Sequence, residues 1–144
     1  MDAETFRRTF AGTPVVDQQI VVCGLGFANV VKRDTAPRDR RRLVFAEQAI
    51  IPKGRADRLW LVGQFVRIAD ASPNWDIVIK VRVSRNETTF HTVRDHVEDL
   101  LRRFQPVPSN LIVSAGSLAA DLKTADLMMT ISSTAVFEAL RSGI

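Results

Sequence analysis

What most constrains this chain is a rhythm in which short apolar segments alternate with longer stretches of helical spacing. Asp76 to Val83 is the clearest of the short segments: Ile77, Ile79, Val81 and Val83 alternate with Asp76, Val78, Lys80 and Arg82. That period of two sends neighbouring side chains to opposite faces of a strand. Gln19 to Cys23, closed by Gly24-Leu25-Gly26, and Leu43 to Ile51, ended by Pro52, are apolar runs with the character of buried strands. Leu111 to Ser114 and Leu127 to Ile131 read as further short strands.

The intervening stretches carry the other period. From Gly54 to Ser72, Leu59, Val62, Val66 and Ala69, flanked by Leu61, Phe65 and Ile68, recur at three and four until Pro73 stops the helix. Thr92 and Asp95 have capping-box spacing, and Val93, Val97, Leu100, Leu101 and Phe104 form a stripe that ends before Pro106 and Pro108. Leu118 to Lys123 and Thr134 to Ser142 are short helices, the second with Gly143 as its C-terminal cap. Strands separated by helices over crossovers of this length predict an α/β fold, a Rossmann-like, mostly parallel sheet flanked by helices. Residues 19–144 are expected to form that domain, and residues 1–18 a linker or remnant.

Composition narrows the class. At 144 residues, 46% hydrophobic and 25% charged, the chain is one globular domain long. It contains no run of the roughly 18 apolar residues that a membrane-spanning helix needs, and Met1 to Phe10 carries charge. The cytoplasm is therefore the expected compartment, with peripheral contact at the inner membrane left open. Cys23 stands alone and there are two histidines, too few for a disulfide or a structural zinc site. His91 and His96, five apart, do not share a helical face, so neither metal nor cofactor is expected. The net charge of +4 is concentrated at Arg38-Asp39-Arg40-Arg41-Arg42, preceded by Lys32 and Arg33. Such a run is either a solvated loop or a surface for an anionic partner, a nucleic acid or a lipid headgroup.

Open α/β sheets bind ligands beyond the carboxyl ends of their strands. After the last strand come Ser132, Ser133 and Thr134. Their hydroxyls, with the unpaired amides of a helix start, suit a phosphate, though serine and threonine are also ordinary N-caps. Glu138 is four residues beyond Thr134, one turn along the same face, where a carboxylate could accept from sugar hydroxyls. Lys80 and Arg82 share a strand face otherwise headed for burial, and need a counter-charge from a bound anion or an internal carboxylate. Glu87 fits either a ligand contact or a capping box with Ser84, and His91 either an acid/base group or a polar helix start. Gly24-Leu25-Gly26 has Asn29 where a dinucleotide fingerprint has its third glycine, and Ala115-Gly116-Ser117 lacks the glycines of a nucleophile elbow.

Several motifs together resemble the C-terminal, nucleotide-sugar-binding domain of GT-B glycosyltransferases. They are Ile79-Lys80-Val81-Arg82, Asn110-Leu111 with Gly116, and the block from Ala125-Asp126-Leu127 through Ser132-Ser133-Thr134 to Glu138-Ala139 and Gly143. The pattern is similar to CDP-glycerol glycerophosphotransferases, to lipid-A-disaccharide synthase-like proteins, to UDP-GlcNAc 2-epimerases and, most closely, to bacterial glycosyltransferases of unknown substrate. The resemblance implies that Ser132, Ser133 and Thr134 bind the donor diphosphate, Glu138 the ribose, and Lys80 and Arg82 the phosphates or sugar. Glu87 joins that donor set and His91 is the catalytic candidate. Where the glycerophosphotransferases carry His-Pro, this chain has Arg82-Val83. The implied partner is a nucleotide-sugar donor. The N-terminal acceptor domain of such enzymes is missing from the chain, which is expected to be a fragment. The alternatives are a non-enzymatic α/β module for anions or nucleic acid, and a sugar-nucleotide epimerase-like domain.

Overall fold

The computed structural model describes residues 3–17, 30–82 and 95–144. The expected strand from Gln19 to Cys23, together with Glu87, His91 and Thr92, lies outside the described residues. A short helix, α1 (Ala3–Thr9), with no buried residue, and a 3-10 turn over Pro14–Asp17 form the described N-terminal segment. From residue 41 onward the chain alternates strand and helix. The order is β1 (Arg41–Ala46), α2 (Arg55–Ala71), β2 (Trp75–Lys80), α3 (Val97–Leu101), β3 (Leu111–Ser114), α4 (Leu118–Leu122), β4 (Leu127–Thr130) and α5 (Ala135–Arg141).

The strands form one sheet in the order β3-β2-β1-β4, and every pairing is parallel. This is the Rossmann-like α/β architecture that the alternation predicts. Parallel strands are covered on both faces, and the side-chain alternation divides the core accordingly. Leu43, Phe45, Ile77, Ile79 and Val81 pack with Val62, Phe65 and Val66 of α2 and Val97, Leu100 and Leu101 of α3. Val44 and Val78, pointing the other way, pack with Leu122 at the end of α4, Ala125 and Ala139 of α5. In register with Leu43 and Phe45, Leu127 and Met129 of the edge strand β4 remain exposed on the α2 side.

Several element ends correct the sequence expectations. β1 begins at Arg41 and stops at Ala46, so Glu47–Ile51 is a loop rather than the second half of a strand. The buried Glu47 side chain turns to an ion pair with Arg58, which ends the apolar run before Pro52. β2 ends at Lys80, leaving Val81 and Arg82 beyond the strand. α3 starts only at Val97, with His96 in the cap position, so the Thr92–Asp95 spacing does not mark its start. The end of α5 falls where the chemistry puts it. Gly143 has a φ of 75°, and the Ile144 amide donates to the Ala139 carbonyl while the Gly143 amide donates to Leu140. That is a Schellman closure, with Ile144 and Ala139 in the same apolar cluster.

Asn110 fixes the other side of the sheet. Its buried amide nitrogen donates to the carbonyls of Ala69 (3.0 Å), Ser72 (3.1 Å) and Trp75 (2.9 Å), gathering the last turn of α2 and the entry to β2. The main-chain carbonyl of Asn110 accepts from the Ile77 amide at 2.8 Å, which aligns β3 against β2. Asn110→Ala removes the donor those carbonyls share, and is expected to lower stability by about 1–3 kcal/mol, measured by urea unfolding.

Candidate functional site: a cleft at the carboxyl ends of the strands

At the centre of the sheet the strand order makes the connections of β1 and β4 part. β1 leads into α2 on one face, whereas β4, its other neighbour, leads into α5 on the opposite face. Loops that leave adjacent strands in opposite directions open a crevice between them, the preferred ligand site of this architecture. A cleft of about 300 Å³ lies at this end of the sheet. Lys80 lines it from the end of β2 and Arg82 from just beyond, Ser133 and Thr134 from the β4–α5 turn, Glu138 from α5, Gly116 and Leu118 from the chain after β3, and Ala46 and Glu47 from the end of β1.

Most of the sequence-derived candidates therefore meet in one place. Lys80 is buried and donates to the Val81 carbonyl, and Arg82 is exposed at the rim. Glu138 sits in the first turn of α5, partly buried and facing the cleft.

The three hydroxyls after β4 divide their work. The amide and hydroxyl of Ser132 both donate to Gln48 Oε1, at 3.2 and 3.0 Å, and Ser132 is outside the cleft lining. Ser133 Oγ accepts from the Ala135 amide at 3.2 Å, and so acts as the cap of α5. A hydroxyl that accepts still has its proton to donate. Thr134 occupies the N-cap position with helical φ and ψ and makes no side-chain capping bond. Ordinary capping therefore accounts for Ser133 and leaves Thr134 to the cleft.

Sequence reasoning missed the residues that hold this turn in place. Thr130 Oγ1 donates to the Ala46 carbonyl at 3.1 Å and accepts from the Ser133 amide at 3.3 Å. Gln48 reaches across from the loop after β1 to hold Ser132. That loop is in turn held by Arg58 of α2, which donates to the carbonyls of Gln48 and Ala49 and pairs with the Glu47 carboxylate. Glu47 Oε2 also accepts from the Arg82 amide at 3.4 Å. The signal was present, since Glu47 is the first charge after an apolar run, but a strand drawn through to Ile51 hides it. Ser114 and Asp121 form a further hydroxyl–carboxylate pair at the end of β3, beside Gly116.

The basic run lies elsewhere. Arg33 and Arg38 pair with Asp126, and Arg40 and Arg42 with Asp76, all at the amino ends of the strands. The Asp126 carboxylate also accepts from the Arg42 amide at 2.8 Å, so this cluster ties β4 to β1.

The fold and cleft define a Rossmann-like α/β protein whose carboxyl-end cleft is lined by cations, hydroxyls and carboxylates. Over residues 1–144 the chain matches the family described as "Putative glycosyltransferase (DUF6716)", and it belongs to that family. No curated protein and no solved structure matches it. Among the described residues no helix is long and apolar enough to cross a membrane.

Glu47 and Arg58 side chains are 8% and 7% exposed. Removing one partner strands the other charge away from water, so Arg58→Ala is expected to cost about 3–5 kcal/mol. The apolar pair Glu47→Leu with Arg58→Met should recover most of that loss, as read from thermal unfolding of the single and double variants.

Proposed function

We propose that the carboxyl-end cleft binds the nucleoside diphosphate of a sugar donor, and that the protein is the donor-binding part of a GT-B type glycosyltransferase. The observation that carries this reading is convergence. Lys80 and Arg82, the Ser133–Thr134 turn and Glu138 come from separate elements yet line one cleft at the point where the sheet's connections diverge. The glycosyltransferase description of the family supports the same class of chemistry.

Each group has a task in this reading. Glycosyl transfer forms a bond from an acceptor hydroxyl oxygen, which gives up its proton to a base, to the anomeric carbon. As it forms, the bond from that carbon to the diphosphate oxygen breaks and the nucleoside diphosphate leaves with the electron pair. Charge develops on that oxygen, and fixed cations and hydroxyl donors aimed at it lower the barrier. Lys80 and Arg82 supply the cations, and Ser133 and Thr134 the hydroxyl donors. Glu138, one turn along α5, accepts from the ribose hydroxyls and sets the distance between sugar and phosphate. Ser132, engaged by Gln48, holds the turn rather than the phosphate. The acceptor site belongs, in this reading, to a surface outside the cleft.

Isothermal calorimetry with UDP and CDP tests the assignment. Glu138→Ala is expected to weaken the preferred nucleotide by about tenfold or more, the loss of hydrogen bonds to a charged acceptor, and Arg82→Ala to weaken it as strongly. Unchanged affinity in Glu138→Ala removes the ribose role. Conversion of a UDP-sugar into its epimer, still bound to UDP, with no acceptor present assigns the cleft to epimerisation instead.

A further inference from the structure

A second cleft, of about 280 Å³, lies at the other end of the sheet, lined by Arg33, Arg38, Arg40, Arg41, Asp34 and Asp126 among others. Along the six residues of β1 it is roughly 16 Å from the carboxyl-end cleft, at about 3.3 Å per residue. We propose that this cleft is a second anion site, one that takes a phosphate group.

The charge count is the first argument. Asp126 is shared by Arg33 and Arg38, and Asp76 by Arg40 and Arg42, while Arg41 lies over the Trp75 ring at 5.8 Å. Within the lining, four guanidiniums, those of Arg33, Arg38, Arg40 and Arg41, thus meet two carboxylates, those of Asp126 and of Asp34, whose Oδ1 accepts from the Ala36 amide. Each carboxylate shared between two arginines leaves a positive charge over.

The second argument is pre-organisation. Asp126 takes Arg38 through both its oxygens at 3.1 Å, and Arg33 is held by the carbonyls of Ala125 and Gly143. These forks are fixed before any ligand arrives, and the Arg33 Nε is buried without a hydrogen-bond partner. Arg40, its contact with Asp76 stretched to 3.6 Å and its side chain 47% exposed, is the arm with the most freedom to turn toward a ligand. Rigid, planar guanidinium forks match phosphate oxygens better than any other side chain. The size is the third argument: a cleft of about 280 Å³, with no aromatic residue among the described residues that line it, suits one phosphate and a small substituent. A nucleic-acid strand calls instead for a basic track with repeated stacking surfaces.

The phosphate can be free or part of a lipid headgroup, and the experiment separates the two. In nitrogen-15 NMR of the full chain titrated with inorganic pyrophosphate, the amides of Thr35, Ala36, Arg40 and Arg41 are expected to shift. Those shifts are expected to be lost in the double variant Arg40→Glu, Arg41→Glu, which leaves the Asp126 forks intact. Ser133 and Thr134 amides report the carboxyl-end cleft in the same spectra, so either site can fail without the other. Phosphatidylcholine vesicles with and without phosphatidylglycerol form the second arm. Sedimentation stronger with the anionic lipid, and at least about tenfold weaker in the double variant, assigns a headgroup. Pyrophosphate shifts without such sedimentation assign a soluble phosphate. A wild-type protein that shows neither response overturns the proposal. So does one whose Thr35–Arg41 amides respond only to a single-stranded oligonucleotide. If the double variant loses its folded spectrum, Arg41→Gln takes its place, with retained pyrophosphate shifts of wild-type size counting against the site.

Discussion

The structure depends on β1 being paired on both sides. Its neighbours come from opposite ends of the remaining sequence, β2 directly after one helix and β4 only after two more crossovers. A parallel strand flanked in this way must sit in the sheet interior, which is why Val44 is fully buried and Phe45 nearly so. The same pairing makes the connections after β1 and β4 part company. The cleft is therefore a consequence of strand order, before any residue within it is considered.

Polar contacts hold β1 at both of its ends, in different ways. At the amino end, the Arg42 amide and carbonyl both bond to Asp126, one to its carboxylate and one to its amide, so β4 is registered by a side chain as well as by the ladder. The arginines around Asp126 and Asp76 are partly exposed, where ion pairs contribute at most about 1 kcal/mol each. At the carboxyl end the Glu47–Arg58 pair is almost completely buried, and there the cost of losing one partner is far larger. The end that shapes the cleft is thus the more tightly determined of the two.

Much of the architecture was legible because two periods, of two and of three to four, are written into the apolar residues. The helix expected over Gly54 to Ser72 is found at Arg55–Ala71, and the strand over Leu111 to Ser114 is found unchanged. What the pattern could not reveal was where an apolar run stops being a strand. Ala49, Ile50 and Ile51 look like more of β1, yet the chain leaves the sheet at Glu47 because that carboxylate has a partner eleven residues on. The charge that ends the run is visible in the sequence, but the partner that buries it is not. The candidate residues were legible for a different reason: the order of the strands and the residues that follow each one can be read from sequence even where the last strand residue cannot, and ligand groups gather beyond strand ends. Their supports, Gln48, Thr130 and Arg58, were not, since each acts on a residue of another element.

The hydroxyl run after β4 shows how far residue type alone can carry an assignment. Three adjacent hydroxyls look equivalent in sequence, and each is a preferred capping residue. Once folded they are not equivalent. Gln48 takes the amide and hydroxyl of Ser132, the Ala135 amide takes the oxygen of Ser133, and Thr134 is left with no capping bond and a place in the cleft wall. The turn needs the first to fix its position, because no ladder bond extends past Thr130 to do so. It needs the second to satisfy the opening of a seven-residue helix. Only what remains after those structural demands is available to a ligand. In the donor-binding reading proposed above, a phosphate would therefore fall chiefly to Thr134, the proton of Ser133, Lys80 and Arg82, with Ser132 setting the geometry of the turn from behind.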